Sequence, residues 1–156
     1  MNNLVRIFLI IALLFALKWI FLDESVTIRA IDLPLDVRYL KGKAAVAGQP
    51  ALVEFWATWC APCLETIPHL NEIYAQYQPR GLQFVSITTE DEATVQRFLT
   101  KRSMEYPIAL DAGGKLLRNL HVTSIPRAFL VDRTGKVTWQ GHPMDLNATM
   151  LEAAVR

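Results

Sequence analysis

The chain holds two cysteines, Cys60 and Cys63, in the run Trp56-Ala57-Thr58-Trp59-Cys60-Ala61-Pro62-Cys63. Two thiols at this spacing can exchange disulfides with another molecule, close a structural bridge, or supply half of a metal site. The Cys-x-x-Cys spacing where an apolar run meets a helical pattern is a redox signature. A structural bridge closing so small a loop would constrain little of the unfolded chain. A zinc site needs four ligands. There is no second cysteine pair, and His69, the nearest histidine in sequence, sits on the following helix where it is not aimed at both sulfurs.

Position supplies the chemistry. Cys60 is expected at the first turn of a helix, where backbone N–H groups are unpaired and the helix dipole is positive, so a thiolate is stabilised. A free cysteine has a pKa of about 8.5, and such positions lower it to roughly 3.5–7.5. Cys60 is then the attacking sulfur. Cys63, one turn on and more buried, resolves the mixed disulfide. Pro62 costs little so early in a helix. Glu54 lies in the middle of the apolar run Ala51–Trp56. An ionised carboxylate is costly there, so burial raises its pKa and poises it to take and return the Cys63 proton. The competing reading points Glu54 to solvent from a strand edge.

These residues need a scaffold. Ala51–Trp56 reads as a buried central strand. From Cys63 to Tyr77, Leu64, Ile67, Leu70, Ile73, Tyr74 and Tyr77 recur at helical spacing, with Pro68 expected to kink the helix. Leu82–Thr88 is strand-like. Thr89-Glu90-Asp91-Glu92 reads as a capping box opening a helix to about Arg102, with Val95, Phe98 and Leu99 inward. Tyr106–Leu110 is a short strand, followed by a short helix carrying Leu116, Leu117 and Leu120. Arg127–Val131 and Val137–Gln140 form a hairpin around Asp132-Arg133-Thr134-Gly135, and Asp145 caps a last helix. Upstream, Ser25–Gln49 is expected to hold only a short extended element or hairpin, with Leu33-Pro34-Leu35 limiting any strand to an edge. The order predicts an α/β fold with a mixed sheet between helices. Trp56, Met104, Met144 and Met150 are expected to pack inside, and His121 and His142 to lie on the surface.

The 156 residues carry a net charge of +1. That is one domain's worth of chain, without the basic footprint of a nucleic-acid binder. Leu4 to Leu22 is nearly all apolar, bounded by Arg6 and by Asp23-Glu24. As a helix it matches a bilayer core. Residues 1–24 are therefore read as a transmembrane signal anchor and 25–156 as the catalytic domain. A cleaved signal peptide is the alternative, weakened by a poor cleavage site at Ala16-Leu17-Lys18, and a buried core helix is a further one. Arg6 favours an amino terminus inside the cell, which would put the catalytic domain beyond the cytoplasmic membrane, on its periplasmic side.

With these residues in hand, the chain resembles the thioredoxin superfamily, and within it the membrane-anchored TlpA/ResA-like thiol-disulfide oxidoreductases of cytochrome c biogenesis. Phe55-Trp56-Ala57-Thr58-Trp59-Cys60-Ala61-Pro62-Cys63, Pro68, Ile125-Pro126, and Phe129-Leu130-Val131-Asp132 with Gly135-Lys136-Val137 carry the likeness from about Gln49 onward. It implies a thioredoxin fold with an extra βα unit between the Leu82 strand and Ile125. It implies a cis Pro126 against the cysteines, the Ile125 backbone pairing with a substrate chain, Glu54 as the buried acid, and Trp59, Ala61 and Pro62 beside the substrate groove. Arg127, next to this proline, would favour the thiolate or draw acidic substrates; the competing reading is a solvated arginine. The resemblance further implies a monomer with no cofactor beyond the Cys60–Cys63 pair and no metal. It would reduce cysteine-containing extracytoplasmic proteins, such as apocytochrome c or copper-site proteins, with electrons from a membrane-embedded dithiol donor. A disulfide oxidase or isomerase, a peroxidase-like redoxin, and a copper or zinc chaperone on the same fold stand as alternatives.

Overall fold

β2, Ala51–Phe55, is buried along its whole length, as an apolar run with no polar face requires. In this computed structural model, which describes residues 30–156, β2 lies inside a six-stranded sheet whose strands lie in the order Arg38–Lys41 (β1), Ile108–Leu110 (β4), Gln83–Thr88 (β3), β2, Arg127–Val131 (β5) and Val137–Gly141 (β6). The expected anchor over 1–24, its boundary with the following domain, and most of the alternating stretch Val26–Ile31 lie outside the described residues. No helix among the described residues is long and apolar enough to cross a membrane.

The chain leaves β2 through α1, Ala61–Tyr77, and returns as β3, Gln83–Thr88, parallel to β2. It crosses again through α2, Glu92–Leu99, to β4, Ile108–Leu110, parallel to β3. After the short α3, Lys115–Asn119, β5, Arg127–Val131, runs antiparallel to β2, and β6, Val137–Gly141, pairs with it as a hairpin. β1, Arg38–Lys41, closes the opposite edge, antiparallel to β4, and α4, Ala148–Val155, ends the chain. Parallel neighbours joined through helices and antiparallel ones joined by a hairpin give the mixed sheet predicted.

Alternation along the strands divides the core in two. On one side Leu52, Trp56, Phe84, Ile108 and Leu130 pack with Ile67, Leu70, Ile73 and Tyr77 of α1, Val95 of α2, Leu151 of α4, and both cysteines. On the other, Val53, Phe55, Val85, Ile87 and Phe129 pack with Ile31, Leu35, Leu120 and Val122. Pro68 sits on the exposed side of α1, and the helix runs through it to Tyr77. Gly81, at φ 96°, reverses the chain into β3 while Leu82 N–H donates to Tyr77 O at 3.1 Å, a left-handed turn that favours glycine.

Several boundaries differ from expectation. Asp91, not Thr89, caps α2, accepting from Thr94 N–H, and the helix stops at Leu99 instead of Arg102. Asn147, not Asp145, caps α4; Asp145 closes a 3-10 turn over Pro143–Asp145. β4 starts at Ile108, because Pro107 has no N–H to give a ladder. Met144 is 52 % exposed and does not pack in the core, in contrast to the buried Met104. At the other edge, the chain beyond β1 turns at Gly42, where a Cβ would come within 2.7 Å of the Pro107 ring.

Candidate active site

The site forms where three strands end together. β2 and β3 are parallel and finish at the same edge, and β5, antiparallel to β2, begins there. Trp56 N–H still donates to Ile87 O, at 3.0 Å, before the chain turns away from the sheet. Cys60 N–H then donates to Ala57 O at 3.2 Å, and Cys60 becomes the N-cap of α1 in an extended conformation. Its Sγ accepts the Cys63 N–H at 3.3 Å. A sulfur in the capping position receives one of the N–H groups that a helix start leaves without a partner. Cys60 and Cys63 are joined as a disulfide with Cα atoms 5.2 Å apart. Both sulfurs belong to nearly buried residues, Cys60 at 4 % exposure and Cys63 at 1 %. Trp59 beside them is 74 % exposed, and Ala61 and Pro62 are exposed too.

Glu54 is 1 % exposed, so it does not point to solvent from a strand edge. It shares its side of β2 with Leu52 and Trp56, which is the side on which the cysteines pack. Burial pushes its carboxyl up to about 7, against a smaller opposing pull from the hydrogen bond that Ser86 donates. An acid with that proton affinity can exchange a proton near neutrality. Thr66, fully buried one turn beyond Cys63, donates its hydroxyl to Cys63 O at 2.8 Å.

Ile125–Pro126 is a cis peptide. Pro126 is buried, and Ile125, half-buried, touches both halves of the core. Arg127 follows as the first residue of β5, opposite Phe55, which sets this segment next to the start of the cysteine loop. Arg127 is half-buried, and no ion pair to it occurs among the described residues. His69 is half-buried, with Nε2 lacking a hydrogen-bond partner among the described residues. No group of three or more His, Cys, Asp or Glu side chains gathers where a metal ion could sit among the described residues.

Sequence reasoning missed Glu90, which it placed in the first turn of a helix. Its carboxylate lies at the end of β3 and accepts from Thr58 N–H and Thr58 Oγ1, both at 2.7 Å, and from Thr88 Oγ1 at 3.2 Å. It thereby ties down the loop that leads to Cys60. It also missed Ser86, whose hydroxyl had no sequence signal to set it apart from Gln83 and Thr88, the other polar residues of β3.

The profile of the Redoxin family matches residues 31–153. The thiol-disulfide oxidoreductase ResA of Bacillus thuringiensis is 32% identical over 91 residues, 58% of this chain and 53% of that protein. ResA of Bacillus anthracis is 31% identical over 107 residues, 68% of this chain and 58% of that protein. The chain thus spans about half the length of the curated relatives it matches. Among solved structures, a Chlorobium tepidum protein assigned as thiol:disulfide interchange protein DsbE superposes with a TM-score of 0.69 at 29% identity, over 82% of this chain and 98% of that one. StoA from Bacillus subtilis superposes with a TM-score of 0.63 at 23% identity, over 72% and 90%, which is a likeness of fold. The fold is that of thioredoxin, with α2 and β4 inserted between β3 and α3.

Proposed function

This chain belongs to the redoxin family, and on that premise we propose that it is a thiol-disulfide oxidoreductase, tethered to the cytoplasmic membrane by residues 1–24 and working on the extracytoplasmic side. The observation that carries the activity is the Cys60 sulfur at the N-cap of α1, accepting the Cys63 N–H and bonded to Cys63. In the reduced protein the same N–H and the helix start favour a Cys60 thiolate. That thiolate attacks a substrate disulfide; one substrate sulfur leaves as thiolate and the other stays bonded to Cys60. Glu54 takes the Cys63 proton. The Cys63 thiolate then attacks the Cys60 sulfur, the Cys60–Cys63 disulfide forms, and the second substrate thiolate departs and is protonated. Two electrons pass from the protein to the substrate, and a dithiol donor in the membrane restores them by the same exchange in reverse.

The reductive direction, the substrates (cysteine-containing proteins such as apocytochrome c or copper-site proteins) and the monomeric state follow the resemblance to the TlpA/ResA branch. The names of the ResA and DsbE relatives support thiol-disulfide chemistry. Trp59, Ala61, Pro62 and the Ile125 backbone form the substrate groove, and Arg127 adds positive charge at its margin. The test is covalent trapping in the native compartment. Cys63→Ala should retain mixed disulfides through Cys60, and mass spectrometry identifies the proteins held. If Cys63→Ala captures nothing while Cys60 still reacts with small disulfides, protein disulfide exchange is ruled out. A strongly oxidising potential for the purified protein would reverse the assigned direction.

A further inference from the structure

Glu54 and Ser86 sit opposite each other on the adjacent parallel strands β2 and β3. Their residues are 1 % and 0 % exposed, and the Ser86 hydroxyl donates to Glu54 Oε2. β5 offers Ala128 at the paired position. On the side of the sheet that Glu54 shares with Leu52 and Trp56, α1 carries the buried Cys63 and Thr66, and the Thr66 hydroxyl is already given to Cys63 O. The segment before β4 brings Tyr106, whose buried phenol has no hydrogen-bond partner among the described residues. Burial, and secondarily the Glu54 charge, push that phenol above its ordinary range, so it stays protonated and neutral. Among the described residues, burial raises the Glu54 carboxyl and the Ser86 hydroxyl opposes it.

We propose that Ser86 is a positioning residue for the proton step: its hydroxyl sets the pH at which Glu54 gives up its proton, and with it the pH window in which Cys63 is deprotonated inside the fold. This rests on Glu54 acting as the proton carrier for Cys63. A hydroxyl both donates and accepts, so it can hydrogen-bond either form of the acid. Its bond to the carboxylate is charge-assisted and roughly twice as strong as a neutral one. Ser86 therefore offsets part of the desolvation of the ionised acid without the full effect of a cation. A cation there would hold Glu54 ionised and unable to accept a proton until much lower pH. No polar partner there would leave it protonated and unable to take the Cys63 proton at neutrality.

The experiment uses the full chain in detergent. In the oxidised protein, carbon-13 label at the glutamate carboxyls reads the Glu54 titration directly. In the reduced protein, the aromatic disulfide dithiobis(nitrobenzoate) separates two steps: release of a first thiolate reports attack by Cys60, and release of a second reports resolution by Cys63. Ser86→Ala is expected to move the Glu54 midpoint up by about one pH unit or more, the worth of one hydrogen bond to a charged group. The pH profile of the second thiolate release should move with it, while the first stays in place. Ser86→Thr, which keeps the hydroxyl, should restore both. Tyr106→Phe should leave the Glu54 midpoint where it is.

An unmoved Glu54 midpoint in Ser86→Ala overturns the inference, and so does an equal movement in Tyr106→Phe. If the midpoint moves but the second-release profile does not, the proton-carrier role of Glu54 fails, and the assignment of Ser86 to the proton step fails with it. The carboxyl titration thus separates the two failures. Should Ser86→Ala not fold, Ser86→Cys, with its weaker donor, is expected to move the midpoint in the same direction by less.

Discussion

Thr58 is bound to Glu90 at both ends of one carboxylate: its N–H donates to Oε2 and its hydroxyl to Oε1, each at 2.7 Å. Thr58 precedes Trp59-Cys60, so the C-terminal end of β3 holds the loop that presents the attacking sulfur. Hydrogen bonds to a charged group are worth about 1.5–3 kcal/mol when buried, and Glu90 is half-exposed, so solvent screening reduces this. We expect Glu90→Ala to lower stability by about 1–2 kcal/mol, read as the urea midpoint of the disulfide form. Thr58→Val keeps the N–H bond and should cost less. Equal losses in the two variants would mean that the backbone bond contributes nothing.

Glu54 makes stability depend on pH in a definite direction. Its carboxyl lies near 4.5 in an unfolded chain and is raised by burial to about 7 in the fold. Between those values the folded protein binds a proton that the unfolded chain does not. The stabilisation is therefore complete below pH 4.5 and is lost as pH rises through 7. The full span is on the order of 3 kcal/mol. Glu54→Gln removes the titrating group. Relative to it, the wild type should lose stability from pH 5 to pH 8, and Glu54→Gln should be the more stable protein at pH 8. The comparison cancels Asp91 and Asp132, which hydrogen bonds hold below the usual carboxylate range. A wild-type-minus-variant difference that is flat with pH would show that Glu54 does not titrate in this window.

Tyr106 is fully buried against Phe84 and Tyr74, and its hydroxyl finds no partner among the described residues. A buried hydroxyl without a hydrogen bond is a net cost. Tyr106→Phe keeps the ring packing and removes that cost, so it should leave the melting temperature unchanged or raise stability by up to about 1 kcal/mol. A clear destabilisation would mean that the hydroxyl is satisfied in solution.

Much of this was legible in the sequence, for identifiable reasons. β2 has no polar face except Glu54, and only a central strand buries such a run. The pattern of Ile67, Leu70, Ile73 and Tyr77 fixes one face of α1. What escaped was satisfied by tertiary contact. Glu90 reads locally as a capping-box acid, yet its partner lies 32 residues earlier in the chain. Asp91 outcompetes Thr89 as the cap of α2 because Thr89 is still leaving the strand. Asp111 reads as a loop residue, yet it is 3 % exposed and accepts from Leu116 N–H and Leu117 N–H, supplying to α3 the partner that Gly114 lacks. Ser86 gains meaning only from the register that sets it against Glu54. Local pattern carries no record of which residues a sheet will bring together.

Trp59 offers a separation of fold from function. At 74 % exposure it contributes little packing, and substitutions at such positions usually change stability by no more than about 0.5 kcal/mol. If it is a wall of the substrate groove, its indole is buried only when a protein partner docks. Truncating a central interface aromatic typically costs more than 1 kcal/mol, on the order of tenfold in affinity. We therefore expect Trp59→Ala to keep the wild-type melting temperature and the wild-type rate with a small aromatic disulfide. Its second-order rate with a protein disulfide should fall about tenfold. An equal fall with both substrates would place the effect on the Cys60 sulfur itself, through the loop that Thr58 and Glu90 hold, and not on docking.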